Sequence, residues 1–187
     1  MTDYHILIRV VYERSFHRKR GEIRVNAKDV EHYLALYRNN VITTALCYVK
    51  KQSDAEDILQ EVFFSLYTYS GSFNEDEHVK AWLIRCTVNK CKDLLRSHWR
   101  RFSAPLEAAG EQIYYDRHED EMFDIIHKLG KNNRIVLYMH YYEGYSVEET
   151  AKILGISANA VSSRLKRGRM QLKKLIEDER NESKNGL

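Results

Sequence analysis

The stretch SVEETAKILGISANAVSSRLKRGRMQLKK, residues 146–174, contains two helical patterns that meet at Gly155, and it constrains the fold more than any other feature. Ser146 followed by Glu149 has capping-box spacing, which predicts that a helix begins there. Gly155 supplies the left-handed backbone conformation that commonly follows a helix, and Ser157 is suited to cap the next one. A short helix, a glycine turn and a second helix predict a helix-turn-helix.

The second of these helices is rich in arginine and lysine and has no acidic residue before Lys174. Short polar side chains in its first turn can contact base edges in the major groove, and cations further along can displace counterions from phosphates. A solvated helix end would carry the same cations, because the helix dipole favours them there. The capped partner helix favours DNA binding. The predicted DNA-binding residues are Ser157, Asn159, Ser162, Ser163, Arg164, Lys166, Arg167 and Arg169.

Helical periodicity also dominates the rest of the chain, and no strand-rich block or repeat interrupts it. The pattern runs from about residue 29 to residue 101 and returns at residue 119. Between them, residues 102–118 contain Pro105 and Gly110 with weak periodicity, which is typical of a linker. We therefore predict an all-α protein with two small helical domains joined by a flexible linker.

The sequence of residues 1–26 is compatible with two kinds of secondary structure. Ile6, Ile8 and Val10 alternate like a strand, and the segment EIRVN could pair back as a hairpin. A frayed helix fits the same residues, so both interpretations stay open. The expected division is an N-terminal extension at 1–26, a helical domain at 27–101, a linker at 102–118, a second helical domain at 119–180 and a tail at 181–187.

The segment SDAEDILQEVF, residues 53–63, predicts a helix with one acidic and one apolar side. Ser53 and Glu56 have capping-box spacing, so the helix is expected to begin at Ser53. No histidine lies at a matching step, so metal ligation is not indicated. A solvated helix face fits the pattern, but we favour a docking surface for a basic protein partner. This acidic ridge consists of Asp54, Asp57, Gln60 and Glu61.

The composition excludes several classes of function. Cys47, Cys86 and Cys91 lack CxxC spacing, so we expect reduced, mostly buried thiols in a cytoplasmic protein and no metal site. No apolar run reaches the roughly 18 residues of a membrane span. We find no paired nucleophile and base and no phosphate-binding glycine loop, so neither enzymatic activity nor a cofactor is expected.

The acidic and basic segments together resemble the extracytoplasmic-function (ECF) group of sigma-70-family initiation factors. SDAEDILQEVF resembles the family's region 2.2, and VKAWLIRCTVNKCKDLLRSHWRR resembles regions 2.3 and 2.4. LGKNNRIVLYMHYYEGYSVEETAKILGISANAVSSRLKRGRMQLKK is similar to region 4. The likeness covers residues 28–178. It implies a factor that binds core RNA polymerase and directs promoter recognition, DNA melting and transcription initiation at a stress- or signal-responsive regulon.

The resemblance also implies roles for individual residues. The family positions that bind the clamp helices of the largest polymerase subunit are matched by Asp57, Gln60 and Glu61. The part that melts and reads the −10 element is matched by Trp82, Asn89 and the loop of residues 72–78, which contains Ser72, Phe73 and Asn74. Strand phosphates would be held by Lys80, Arg85, Lys90, Lys92, Arg96, Arg100 and Arg101. The helix from Ser157 would read the −35 element.

The partners implied are the clamp helices and flap of core polymerase, promoter DNA and an anti-sigma factor, without membrane insertion. Residues 1–26 depart from the family, whose members usually start near their first helix. Ser162 lies where many relatives have a basic residue, so no promoter sequence is predicted. The alternative is a stand-alone helix-turn-helix regulator, which would bind palindromic duplex DNA without polymerase.

Overall fold

The computed structural model describes residues 23–102 and 125–185, and most of them are helical. Contacts divide the chain into two compact units, Met1–Gln112 and Ile113–Leu187. Apart from one isolated bridge, no β structure occurs in the described ranges, so the all-α prediction is confirmed. Residues 1–22 and 103–118 lie outside these ranges, so the two interpretations of the N-terminal extension and the linker prediction both fall almost entirely on residues that the structure does not describe. None of the described helices is long and apolar enough to cross a membrane.

Three helices form the described part of the first unit: α1 at Ala27–Leu46, α2 at Gln52–Tyr67 and α3 at Asp76–Phe102. Asn26 begins α1 with a capping box, because its side chain accepts from the amide of Asp29 and its own amide donates to the Asp29 carboxylate. The three helices pack on one another. Their shared core contains fully covered side chains, including Val41, Leu46, Val62, Leu66, Leu83 and Val88.

The prediction that α2 begins with a cap at Ser53 is wrong. The helix begins at Gln52 and follows Lys51, which provides no side-chain cap. Ser53 therefore lies inside the first turn, and Glu56 accepts a hydrogen bond from the Gln52 side chain at 3.1 Å instead. The apolar side of α2 is buried as expected, through Ile58, Leu59, Val62, Phe63 and Leu66.

Helical spacing predicts six buried positions in α3, but the helix buries a partly different set. The predicted positions are Trp82, Leu83, Cys86, Val88, Leu94 and Leu95. Leu83 and Val88 are buried as expected. The other four expected core residues are only half-buried: Trp82, Cys86, Leu94 and Leu95. The positions that take their place in the core are Val79, Ile84, Thr87 and Cys91. Contacts with α1 and α2 decide which face turns inward, and apolar residues occur on both sides of this helix.

The three cysteines are free thiols. Cys47 and Cys91 are buried and Cys86 is half-buried, which confirms the expectation of mostly buried thiols. Burial raises the pKa of Cys86 and of Cys91 above the ordinary thiol value. Because the thiolate is the reactive form, a raised pKa makes a thiol less reactive. These side chains therefore act as small apolar groups in the first unit.

The described part of the second unit contains α4 at Lys131–Tyr141, α5 at Val147–Leu154 and α6 at Ala158–Asn185. Arg134 in α4 is buried, and its Nη2 donates to the backbone oxygens of His127 at 2.7 Å and Leu129 at 2.8 Å. These carbonyls lie at the end of a short helical segment at 125–127. Arg134 thus fixes that segment to α4.

Gly168 allows α6 to approach α4 closely. A Cβ atom at residue 168 would lie 2.9 Å from Cδ1 and 3.1 Å from Cγ of Leu137, whose side chain is itself buried. We expect Gly168→Val to lower the free energy of unfolding of the second unit by about 1–3 kcal/mol, because overpacking forces side chains and backbone to shift. Urea unfolding followed by circular dichroism measures this change.

Gly130→Ala is the control for this variant. A Cβ atom at residue 130 would meet no atom within 4 Å, so we expect it to shift the urea midpoint much less. Equal midpoints for Gly168→Val and the parent chain would contradict the close approach of α6 to α4.

Candidate protein and nucleic-acid interfaces

The helix-turn-helix is built by the local contacts that the sequence predicts. The Ser146 hydroxyl oxygen accepts from the amide of Glu149 at 3.2 Å, and the Glu149 carboxylate accepts from the Ser146 amide at 2.9 Å. Gly155 has a φ of +66°, and the Ser157 hydroxyl oxygen accepts from the amide of Ala160 at 3.2 Å. Hydrogen bonds from Ser146 also hold the pKa of Glu149 below its ordinary value. Both caps and the turn are confirmed.

The inner side of the motif is apolar, which fixes the side of α6 that faces outward. Ala151 and Leu154 of α5 are buried, as are Val161 and Leu165 of α6. Because residues three and four apart share a helix face, this packing turns the predicted DNA-binding residues away from the core. Arg164 is half-buried, and the exposed members are Ser157, Asn159, Ser162, Ser163, Lys166, Arg167 and Arg169.

Met170 also belongs to this exposed face, and the sequence prediction omitted it. Its side chain is 64% exposed, and it follows Lys166 by four residues and Ser163 by seven. An apolar side chain on a polar helix face can contact a thymine methyl group. The same spacing that places Lys166 could have identified it, but the prediction counted only polar and charged side chains.

The acidic ridge lies on the solvent side of α2, opposite its buried face. Asp57, Gln60 and Glu61 are exposed, and Asp54 is half-buried. Phe64 extends the ridge by one turn, because it follows Asp57 by seven residues and is 52% exposed. An exposed aromatic ring beside carboxylates fits a protein-docking surface, since aromatic residues are enriched in interface cores. The sequence prediction missed Phe64 because it counted only polar and acidic side chains as members of the ridge.

Glu61 is not an isolated carboxylate. Lys90 of α3 donates from Nζ to Glu61 Oε2 at 2.9 Å. The resemblance implies a phosphate contact for Lys90, whereas the structure pairs its ammonium with a member of the acidic ridge. The two residues are 29 positions apart, so no local spacing predicts this ion pair.

The loop between α2 and α3 is supported by three aromatic rings. The centroids of Tyr69 and Phe73 lie 5.0 Å apart, as do those of Tyr69 and Trp82, and Phe73 meets Trp82 edge-on at 5.9 Å. Phe73 is only 5% exposed and Trp82 is half-buried. Phe73 therefore supports the loop from within and does not present its ring to solvent. Asn74 is exposed, and Ser72 is half-buried.

A basic stripe follows α3 from this aromatic cluster. Its members recur at steps of three and four residues and so share one face. They are Trp82, Arg85, Asn89, Lys92, Arg96 and Arg100, of which Arg85, Asn89, Arg96 and Arg100 are exposed and Lys92 is half-buried. Asp93 pairs with the guanidinium of Arg96, so the stripe is not purely cationic. Lys80 is half-buried, and the side chain of Arg101 lies outside the described part.

These surfaces offer charge, hydrogen-bonding groups and aromatic rings. Within residues 23–102 and 125–185, no group of three or more histidine, cysteine, aspartate or glutamate side chains could hold a metal ion. The stripe on α3 and the outer face of α6 can bind phosphates and base edges, and the acidic ridge can bind a basic protein surface.

Family models match both units. The model for sigma-70 region 2 matches residues 34–101, and the model for sigma-70 region 4 matches residues 120–172. The first match contains the acidic ridge and the stripe on α3, and the second contains the helix-turn-helix.

Related proteins and structures agree with these matches. The ECF RNA polymerase sigma factor SigM of Mycobacterium tuberculosis is 30% identical over 148 residues, covering 78% of this chain and 73% of the relative. SigM of Bacillus subtilis is 27% identical over 154 residues, covering 78% and 94%. The sigma factor RpoE, in a complex with the anti-sigma factor NepR from Bartonella quintana, has a similar fold. That likeness has a TM-score of 0.64 at 23% identity and covers 80% of this chain and 98% of the other.

A second structure, CnrH in complex with the cytosolic domain of CnrY, matches with a TM-score of 0.55 at 22% identity and covers 82% of this chain and 90% of the other. At such identities the two structures support the fold alone. The relatives and both family models do not favour a stand-alone regulator, and they confirm the resemblance read from the sequence. The chain belongs to the ECF group of the sigma-70 family, whose members direct RNA polymerase to promoters.

Proposed function

We propose that the two units bind different parts of one initiation complex. The helical domain predicted at 27–101 binds the clamp helices of core polymerase through the acidic ridge, and the domain predicted at 119–180 binds the −35 element through α6. The observation that carries this proposal is the opposite charge of two exposed helix faces in separate compact units. Carboxylates on α2 suit a basic protein surface, and cations on α6 suit phosphates.

The stripe on α3 and the loop before it are proposed to hold the −10 element. Arg85, Arg96 and Arg100 can bind phosphates of the separated strand, while Asn89 offers both a donor and an acceptor to a base. Ser72 and Asn74 contribute polar groups from the loop. Phe73 and Trp82 support this surface through their ring contacts, because both rings are at least half-covered.

Regulation by an inhibitor protein and a cytoplasmic location are part of the proposal. RpoE and CnrH, which share this fold, were each solved with a partner, the anti-sigma factor NepR and the cytosolic domain of CnrY. An anti-sigma factor is therefore the expected third partner, beside polymerase and promoter DNA. The chain itself is proposed to bind and position these partners without catalysing a reaction.

Run-off transcription tests the proposal directly. Core RNA polymerase and the purified chain are combined with a library of genomic fragments from the source cell, and transcripts are mapped by sequencing. We expect initiation at a small set of fragments that share −10 and −35 elements, and none without the chain. Failure to initiate on every fragment would overturn the proposal, and tight binding of palindromic DNA without polymerase would favour the stand-alone regulator.

A further inference from the structure

The loop of residues 72–78 is attached at two points to the part of the chain around the start of α1. The Ile23 amide donates to the Phe73 carbonyl at 2.7 Å, and the Phe73 amide donates to the Ile23 carbonyl at 2.9 Å. Three residues further along the loop, the Tyr33 hydroxyl donates to Asp76 Oδ1 at 2.7 Å. The second attachment joins residues 43 positions apart, so the packing of α1 against α3 creates it.

Tyr33 is held firmly on the α1 side of this contact. It is only 4% exposed, and its ring stacks on that of Tyr37 with centroids 6.0 Å apart and planes 8° apart. His32 meets the same ring edge-on at 5.3 Å. Burial and the hydrogen bond to Asp76 raise the pKa of Tyr33 above the ordinary value. The phenol therefore stays protonated and remains a hydrogen-bond donor.

The two attachments enclose the exposed tip of the loop. Asp76 is the first residue of α3, so the bond from Tyr33 fixes the point at which the loop ends and the helix begins. Phe73 is fixed on the other side by its bridge. Between them lie Asn74 and Glu75, which are both exposed. The tip thus has its exposed side chains free for a ligand while both of its ends are held.

We propose that Tyr33 is a positioning residue for the promoter strand. Its hydrogen bond to Asp76 holds the tip at Asn74 in the conformation that binds the strand, although the buried phenol does not touch DNA. A tip that is held in advance loses less conformational freedom when it binds. The proposal rests on the −10 role proposed above for this loop, and it adds a residue of α1 that sets how tightly the loop binds.

Tyr33→Phe in the full chain tests this assignment, because it removes only the hydroxyl group. Holoenzyme is assembled with the variant and titrated, over a salt series, with a labelled single strand that spans the −10 element of a promoter recovered by run-off transcription. We expect the strand to bind about tenfold more weakly, as for loss of one hydrogen bond to a charged group. The slope of log K against log salt should not change, because no phosphate contact is lost.

A purely structural role for Tyr33 predicts a different result. Tyr33→Phe would then lower the urea midpoint of the chain but leave the strand affinity of the folded holoenzyme unchanged, and this outcome would overturn the proposal. Tyr37→Phe is the matched control, because it removes the neighbouring hydroxyl group and leaves the bond between Tyr33 and Asp76 in place. Its strand affinity should equal that of the parent.

A double-mutant cycle with Asp76→Ala identifies the hydrogen bond as the cause. Asp76→Ala also removes a negative charge beside the proposed DNA-binding surface, so its own effect on affinity combines two changes. In the Asp76→Ala background, Tyr33→Phe should have no further effect, because the bond is already absent. The same tenfold loss in both backgrounds would show that Tyr33 acts by another route and would overturn the assignment.

The parent holoenzyme separates this proposal from the function on which it rests. If the parent and Tyr33→Phe bind the strand equally well and both initiate, the hydrogen bond does not position the tip and the −10 role of the loop stands. If the parent binds no promoter strand, the proposed function fails, and the positioning role fails with it.

Discussion

Replacing Asp57 and Glu61 with lysine is expected to weaken binding of the chain to core polymerase by about 1,000-fold. Both carboxylates lie on the exposed side of α2, and loss of one partner from a charged, hydrogen-bonded pair at an interface costs about 2–5 kcal/mol. Two such losses exceed about 4 kcal/mol, and each 1.4 kcal/mol is about tenfold in affinity. Fluorescence anisotropy of the labelled chain, titrated with core polymerase, measures the change.

The ion pair between Glu61 and Lys90 requires separate variants. Lysine at residue 61 would face Lys90, so part of the loss could arise within the first unit. Asp57→Lys alone leaves that pair intact and should still weaken binding by about 30-fold or more. Glu31→Lys makes the same charge change on an exposed position of α1 and should have little effect. Equal weakening by Glu31→Lys and Asp57→Lys would contradict a specific role for the ridge.

Removing the cations from the outer face of α6 is expected to have the second largest effect. Lys166, Arg167 and Arg169 are all exposed, and each is proposed to contact a phosphate of the −35 region. A triple alanine variant should lower the slope of log K against log salt by about 2.7, at about 0.9 for each contact. At about 1 kcal/mol for each contact, affinity should fall about 100-fold. Filter binding of holoenzyme to duplex promoter fragments over a salt series measures both.

Lys173→Ala combined with Lys174→Ala is the control for this variant. Both lysines are exposed on the same helix, beyond the predicted DNA-binding residues, and Lys173 already lies 3.7 Å from the carboxylate of Glu177. Their removal should change the salt slope much less. A slope that does not change in the triple variant would show that α6 does not lie along the phosphates.

Local contacts made the helix-turn-helix predictable from sequence. The caps at Ser146 and Ser157 and the turn at Gly155 depend on residues within three or four positions of one another, so their spacing is visible in the chain. The acidic ridge was predictable for a similar reason, because its acidic residues and most of the apolar residues lie on opposite sides of one helix, with Phe64 as the exception. The family resemblance then connected the acidic ridge with the helix-turn-helix and predicted one function for both, which neither pattern predicts alone.

Long-range contacts limited the rest of the prediction. The resemblance implies a −10 role for Phe73 as part of the loop of residues 72–78, but its bridge to Ile23 and its ring contacts bury it. The inward face of α3 depends on where α1 and α2 contact it, which spacing within α3 does not encode. The N-cap of α2 is Lys51, two residues before the Ser53 cap that capping-box spacing predicts, and this cap uses no side-chain hydrogen bond that a sequence pattern could reveal.

The ion pair between Lys90 and Glu61 affects how the transcription phenotype of a substitution at Lys90 should be interpreted. A screen that scores only transcript yield would rank Lys90 as a polymerase contact or as a DNA contact, depending on the reporter. Its ammonium instead pairs with the Glu61 carboxylate on a neighbouring helix, so its loss is expected to act on polymerase binding through the acidic ridge. Measuring affinity for each partner separately distinguishes such an indirect residue from those that touch the partner themselves.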